Sequence, residues 1–571
     1  MKIDFQKALS FYLTGSTNPS NKDAAIVNPY TDDELAEIET SSKEWKDSEE
    51  NSFKFSNPAL ALKADYDSIS GYFRNSSLGV FDSLFSGLGS ALTSNTSFKS
   101  GFALAAGSLL TSFLSTLKKV PFLSTNFSLF DYGARLIRSP LHVFDSTFSQ
   151  IGEKGAEGAL PSVLAGATSI VSLSRILKNN DSQNFKLPNT TVSGVVGRTA
   201  LHHLESMLAS KATQISSKYE GAGAFLASSA STLGLLLPEE IKDKKLPYLT
   251  CEGLVSQGSM HFLDSLFANV ANSFNTIFNN TKGLLLGIVS LTVPLPLLSF
   301  IPKVQNTKAS FSRFGGRLIQ SVLRLPETLA FNLGSVVGNN VLGIPISLGF
   351  AALSYFMCVS KKAKNLFKNF EIPMDTIGGQ IQRLPFDFIS SVVSNAGMKL
   401  SSFIPAPLLV AFGPALSFQI GEKFKGISAK YNDFKGLMAR NSIQLWQTIL
   451  SKAAYKTGRM IINTGDEMTS SGSVLADGRW LTSEGQIVPS MAVGKQINEK
   501  DQKNISNILL ASIGGVACSM GAYSIGKYFA NKNNVGAGLV PAQTGASFAS
   551  ASTNTAQRSQ TAEGKTSLKA A

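Results

Sequence analysis

The sequence predicts an all-α protein of about seven tandem helical hairpins, each roughly 60 residues long. One observation is a short phrase that places an acid between apolar residues and recurs along the chain. The acid positions are Asp82, Asp145, Glu205, Asp264, Glu327 and Asp387, and Gln447 takes the seventh place. They lie 63, 60, 59, 63, 60 and 60 residues apart. A period held this closely is the signature of a repeat architecture.

A second observation is the apolar stretch that follows each phrase and supplies the second helix of the hairpin. The uncharged runs are 101–117, 158–174, 221–238, 283–302, 341–360, 400–421 and 504–526. The phrase itself lies on an amphipathic segment that often opens with glycine and arginine, as in Gly133-Ala134-Arg135 and Gly315-Gly316-Arg317. Amphipathic and apolar helices therefore alternate along the repeats.

The repeats occupy residues 58–463, and other kinds of sequence flank them. Residues 1–57 hold 11 acids against 6 bases and are predicted to form a short N-terminal helix followed by an acidic disordered segment, because so polar a stretch cannot bury enough apolar surface to fold. Residues 503–532 supply the final apolar helix of the last repeat. Residues 533–571, rich in Ala, Ser, Thr and Gln, read as a disordered tail.

An insertion at 464–502 interrupts the last hairpin. Asp477-Gly478 stands between the apolar pairs Val474-Leu475 and Trp480-Leu481. Asp-Gly between apolar residues favours a tight β-turn. A small β-hairpin is therefore expected here, between two helices.

Charge placement and run length predict a multi-pass membrane protein. Only 16% of the residues are charged, against roughly 25% in ordinary soluble domains, and about 20 apolar residues suffice to cross a bilayer. The six connectors between repeats hold 26 Lys and Arg, whereas the six hairpin tips hold 6. This positive-inside pattern places both termini in the cytoplasm. The alternative is a soluble, cytoplasmic α-superhelix, because amphipathic helices that alternate with apolar ones also fit a solenoid.

Bases accompany the repeated acids and complete a polar stripe. Histidines occur just before three of the acids, at His142, His203 and His261, and Arg324 precedes Glu327. Within lipid, such acids are expected to mark an ion or proton pathway, and a histidine three residues before an acid can also ligate a metal. The structural alternative is that acid and base pair on one helix or bind the next repeat. We predict no metal, since the first, fifth and sixth repeats lack histidine.

No catalytic constellation is visible, so neither an enzyme nor a cofactor is predicted. The three cysteines are far apart, and no glycine-rich phosphate loop or nucleophile elbow occurs. The basic connectors lack interleaved aromatics and are expected to meet anionic headgroups rather than nucleic acid. Two functions remain open: a transporter or permeation pathway lined by the repeat carboxylates, or a non-enzymatic scaffold that binds a protein partner along its repeats.

Overall fold

The computed structural model describes part of the 571-residue chain. The described residues are 60–64, 68–94, 131–156, 158–178, 186–187, 191–218, 221–247, 250–274, 285–288, 301–310, 312–339, 343–360, 371–373, 375–430, 434–461, 473–474, 480–481, 487–488 and 510–524. The expected N-terminal helix and acidic segment, the first apolar run and the tail beyond 532 lie outside them. Residues 522–571 form a separate unit, of which only 522–524 are described.

The described residues are mostly helical, which confirms the all-α prediction at that level. Within them, seven helices carry the recurring phrase, and we call these the ring helices. They are α1 (Ile69–Ser94), α3 (His142–Gly155), α5 (Val192–Lys218), α8 (Cys251–Ser273), α10 (Phe314–Asn339), α12 (Ile377–Ser401) and α14 (Phe434–Ile461).

Apolar helices follow several of the ring helices, and we call them the outer helices. They are α4 (Ala159–Leu177), α6 (Ala222–Leu236), α11 (Gly343–Val359), α13 (Ala406–Lys423) and α15 (510–524). Short helices complete the described connectors. These are α2 (Tyr132–Arg138), the 3-10 turn Ser139–Leu141, α7 (Glu239–Lys242) and α9 (Pro302–Asn306).

Each ring helix packs against the next one in the chain, and α14 packs against α1. The neighbours run in the same direction. Near the starts of α1 and α3 Arg135 donates to Asn75, and near their ends Lys154 donates to the carbonyl of Thr93. Because the start of one helix contacts the start of the other, and the end contacts the end, the two helices are parallel. The helices therefore form a closed ring, which hairpin repeats can make because each outer helix carries the chain back to the starting end.

Closure depends on contacts between residues that are far apart in sequence. The Ile69 amide donates to the carbonyl of Ile427 at 3.1 Å, next to a bridge between Ser68 and Ser428. Near the far end of the two helices, the Tyr455 hydroxyl donates to Ser90 Oγ at 2.8 Å. The first and last ring helices are thus joined along their length.

An ion pair between Arg74 and Glu422 adds to this closure. Glu422 lies just past the uncharged run 400–421, and the hydrogen bond from Arg74 lowers the pKa of its carboxyl below the usual 4.5. A lowered folded-state pKa stabilises the fold above pH 4.5, and this contribution is lost as the pH falls through the lowered value. The carboxylate is more than a third exposed, so its contribution is screened by solvent.

Three outer helices each pack on two neighbouring ring helices. Helix α4 packs on α5 and α8, α11 packs on α12 and α14, and α13 packs on α14 and α1. Each of these three outer helices therefore links two neighbours in the ring. Helix α15 contacts outer helix α6, where Ser229 bonds the carbonyl of Gly515 at 3.2 Å.

The outer helices leave large apolar side chains exposed. The most exposed include Leu160, Val163 and Ile170 on α4, Leu348 and Phe356 on α11, Leu408 and Phe412 on α13, and Leu510 and Ile513 on α15. By length and composition α4 is the one described helix that could cross a bilayer alone. Helices α10 and α11, bent by 114° at their junction, pass the same test only as a pair.

The connectors anchor the start of the ring helices by a recurring bond. A polar side chain in the helix donates to a connector carbonyl eleven residues earlier. The bonds are Arg74 to Lys63 (2.7 Å), Asn75 to Ala64 (3.2 Å), Arg198 to Leu187 (2.8 Å), Gln320 to Ala309 (2.6 Å) and Arg383 to Ile372 (3.2 Å). Gly316 and Gly379 permit this return, since a Cβ at either would overlap the carbonyl oxygen six residues earlier. The glycine-rich openings of these segments have this packing role.

Three strands of two residues each follow α14. They are β1 (Ser473–Val474), β2 (Trp480–Leu481) and β3 (Ile487–Val488), paired antiparallel in that order. Ser473 pairs with Leu481, and Trp480 pairs with Val488. The intervening residues, Asp477-Gly478 included, lie outside the described residues, so the β-hairpin insertion stays a prediction.

Glycine allows the first and last ring helices to approach to backbone contact. A Cβ at Gly87 would overlap the carbonyl oxygen of Tyr455, and a Cβ at Gly458 would overlap that of Leu84. A serine also lies in this interface, because Ser451 is buried and its Oγ would lie 3.6 Å from a Cβ at Gly79. Small side chains bring parallel helices together where no bulky side chain would fit.

We therefore expect Gly87→Ala to destabilise the ring. The added methyl forces α1 and α14 apart, and overpacking of this kind typically costs about 1–3 kcal/mol. The matched control is Gly349→Ala on α11, where a Cβ would meet nothing within 4 Å. Its helix propensity gain of about 0.5–1 kcal/mol should leave the protein unchanged or more stable. Thermal unfolding of both variants under the same conditions checks this, and equal unfolding temperatures would count against tight closure.

Candidate functional site: a belt of acids and bases

The repeated acids lie at one level of the ring, together with the bases that precede them. We call this set the belt. Its members are Asp82, His142, Asp145, His202, Glu205, His261, Asp264, Arg324 and Glu327. His142, His261 and Arg324 each lie between the acid three residues later and the acid of the preceding ring helix. The three-residue spacing puts base and acid on one helix face.

The belt begins between α1 and α3. The imidazole of His142 has Nε2 3.5 Å from Asp82 Oδ1 and Nδ1 3.3 Å from Asp145 Oδ2. Ser139 Oγ, in the 3-10 turn, donates to Asp82 Oδ1 at 2.5 Å. Arg135 also approaches Asp82, at 3.9 Å. One histidine thus connects the acids of two adjacent helices.

The same geometry continues to α5 and α8. His202 Nδ1 lies 3.8 Å from Asp145 Oδ1. His261 has Nε2 4.0 Å from Glu205 Oε1 and Nδ1 3.5 Å from Asp264 Oδ2. Each of these histidines faces the carboxylate of the preceding helix, and His261, like His142, also faces its own.

Arginine replaces histidine between α8 and α10. Arg317 binds Asp264 with two bonds, Nη1 to Oδ1 at 3.0 Å and Nη2 to Oδ2 at 2.6 Å. Arg324 Nε lies 4.0 Å from Asp264 Oδ2, and its Nη1 donates to Glu327 Oε2 at 2.6 Å. Asp264 is 0% exposed. A bidentate guanidinium is the strongest partner that a buried carboxylate can have among side chains.

At the remaining interfaces of the ring, the base positions carry no charge. Leu384 stands at the base position of α12, and at the base position of α14 Gln444 accepts a 2.6 Å bond from Ser390. Between α14 and α1 the acid position is Gln447 and the base position is Gly79. A Cβ at Gly79 would lie 3.9 Å from Gln447 Nε2. The acid and the base are therefore both missing at the interface where the ring closes, and no charge is buried there without its partner.

The structure places the predicted site residues as follows. All the predicted acids up to Glu327 join the belt, with His142, His261 and Arg324. Asp387 on α12 acts on Arg324 through its charge. His203 instead faces the backbone of Phe148 on α3, and the belt position belongs to His202. His202, not His203, stands three residues before Glu205, which is the spacing that His142 and His261 have from their acids.

Sequence reasoning missed the arginines that reach back to the preceding repeat. Arg135 and Arg317 stand ten residues before their acids and bind Asn75 and Gln257, each 60 residues earlier. Their signal was present, because the segments that begin at Gly133 and Gly315 align without a gap. Arg198, seven residues before Glu205, donates to the Leu187 carbonyl at 2.8 Å.

Chemically, the belt can join helices or pass protons between neighbouring carboxylates and imidazoles. Among the described residues, no group of three or more His, Cys, Asp and Glu side chains is placed to hold a metal ion. Comparison of the chain with protein-family models, curated proteins and solved structures found no match.

We expect Asp264→Asn to destabilise the protein by about 3–5 kcal/mol, because Arg317 would keep its buried charge without a counter-ion. The matched control is Asp243→Asn, which breaks the 3.0 Å pair with Arg313 at a carboxylate that is 65% exposed and should cost about 0–1 kcal/mol. The double variant Asp264→Leu/Arg317→Met should recover much of the loss. Denaturation midpoints give the comparison, and similar small losses for the two single variants would contradict a buried structural pair.

Proposed function

We propose that the chain is a non-enzymatic, multi-pass membrane protein whose ring of helical-hairpin repeats is a structural framework in the bilayer. The observation that carries this proposal is the division of side chains between the two layers. Apolar side chains cover the exposed faces of the outer helices, whereas the repeated carboxylates lie between ring helices and face bases. Lipid would cover the first set, and pairing would offset the cost of burying the second.

The outer faces support contact with lipid. Large apolar patches are rarely exposed on a monomeric protein in water. Where they occur, they mark a surface that contacts a membrane or a partner. Several outer helices present such faces, including α4, α11 and α13. The alternative is a soluble α-superhelix in the cytoplasm that binds a protein partner along these same faces.

The connectors support an orientation. Because neighbouring ring helices are parallel, their starts share one end of the ring, and the connectors rich in Lys and Arg lead into those starts. The proposal places this end and both termini on the cytoplasmic side, with anionic headgroups near the lysines. The period of roughly 60 residues and the seven-fold count belong to the same proposal, and bonds between residues 60 apart, such as Arg317 to Gln257 and Asn332 to Asn272, support them.

A closed ring of parallel helices also favours a second candidate, a permeation pathway lined by the belt carboxylates. Glu327 is the observation behind it, because its side chain is 20% exposed and so is not fully enclosed by its pair with Arg324. Asp264→Asn separates the candidates. Loss of stability supports the framework, whereas loss of ion or proton flux in a variant that folds normally supports permeation.

Cysteine accessibility tests the membrane proposal directly. In a chain whose three native cysteines are replaced by serine, Ile170→Cys on α4 and Lys425→Cys in a connector are matched sites, 70% and 73% exposed respectively. A membrane-impermeant maleimide should label Lys425→Cys from the cytoplasmic side only and leave Ile170→Cys unlabelled, because lipid covers it. The chain should also stay in the pellet after alkaline carbonate extraction.

Equal labelling of the two cysteines, with release of the chain into the carbonate supernatant, would contradict the membrane proposal. That outcome would favour the soluble superhelix. If neither cysteine were labelled, the residue at position 425 would lie on the side that the reagent does not reach. Labelling of vesicles of the opposite orientation would then show which side it occupies.

A further inference from the structure

Exposed lysines recur at the end of the ring where the ring helices begin. Each immediately precedes a buried apolar residue, and each forms a β-bridge to the segment that leads into another ring helix. They are Lys63, Lys186, Lys245 and Lys308, and we call them the basic rim. The burial of Ala64, Leu187, Leu246 and Ala309 fixes the rim lysines in place. The rim is thus a built surface rather than a scatter of surface charges.

The wider connector surface has the same sign. The connectors 118–138, 175–198, 239–257, 302–324, 361–383 and 423–440 hold 26 bases and 9 acids, a net charge of +17. Several of these bases are the buried arginines of the ring helices, but the rim lysines face outward. An anionic partner of matching size would therefore be attracted to this end.

A segment of the same chain has the opposite charge. Residues 23–50 hold 10 acids and 2 lysines, a net charge of −8. The chain enters the ring at Leu60, whose carbonyl accepts from the Gly133 amide at 2.9 Å. The ten residue steps from Glu50 to Leu60 can span at most roughly 33–36 Å when the chain is extended. The acidic segment is therefore tethered at the end of the ring that bears the lysines.

We propose that the acidic segment 23–50 docks on the basic rim of its own chain and competes there with anionic headgroups. Tethering gives the segment an effective concentration on the order of millimolar, so many weak charge contacts suffice to hold it. The docked segment keeps other anionic surfaces off the rim until a denser one displaces it. The proposal requires the rim and the tether only, and it holds for a soluble ring as well as for a membrane-embedded one.

Zero-length carbodiimide cross-linking of the purified full-length chain tests this docking, because it joins a carboxylate to an amine only at contact distance. At low ionic strength, peptide mapping should find acids of 23–50 linked to Lys186, Lys245 and Lys308. Lys63 is too near in sequence to be informative. In 1 M salt, where the Debye length falls to about 3 Å, these links should drop at least tenfold. Inositol hexakisphosphate, a soluble stand-in for clustered headgroup phosphates, should also abolish them.

Two controls make the result decisive. A full-length variant with the ten acids of 23–50 changed to Asn or Gln should lose the links, and Lys154 and Lys399 at the far ends of their ring helices should not acquire them. The proposal is overturned if Lys186, Lys245 and Lys308 form no links, or if links persist in 1 M salt or appear equally at the far end. Links found only between isotopically distinct copies in a mixture would overturn docking within one chain.

Discussion

Backbone contact between neighbouring parallel helices is the constraint on which the ring depends. Parallel neighbours place their helix dipoles side by side, so they gain nothing from dipole compensation. Close packing and side-chain bonds must hold them instead. Gly87 and Gly458 remove the side chains that would separate α1 from α14, and serine hydroxyls and amides fill the rest of the interfaces. With this approach, bonds such as Tyr455 to Ser90 come within reach.

The belt adds charge to a framework that is otherwise held by neutral contacts. It spans the four interfaces from α1 to α10, and its bases change from histidine to arginine along the way. Between α14 and α1 the acid position is Gln447 and the base position is Gly79. Because both the acid and the base are missing, the ring closes without burying an unpaired charge. A buried carboxylate facing a glycine would cost several kcal/mol, whereas an amide there is tolerated.

Much of the local structure could be predicted from the sequence. The period of the acids located equivalent turns of successive helices, and the three-residue spacing of His142, His261 and Arg324 located their partners. Closure could not be predicted, because no local pattern states that the last repeat returns to the first. The partners of the glycine openings and of Arg198 could not be predicted either, since they are connector carbonyls and carry no side-chain signal. Of the two histidines before Glu205, His202 stands three residues before the acid and reaches Asp145, whereas His203 does not.

The central claim is that α14 closes on α1, and a disulfide between Ser68→Cys and Ser428→Cys tests it most directly. These residues are partners in an antiparallel bridge although 360 positions apart, and bridge partners have Cα atoms about 4.5–5.5 Å apart, within the range of a disulfide. In a chain without its native cysteines, mild oxidation should yield an intramolecular disulfide, seen as faster migration without reductant. Ser68→Cys with Thr250→Cys should not form one. Absence of the bond in the first pair, or bonds between separate chains only, would contradict a closed ring.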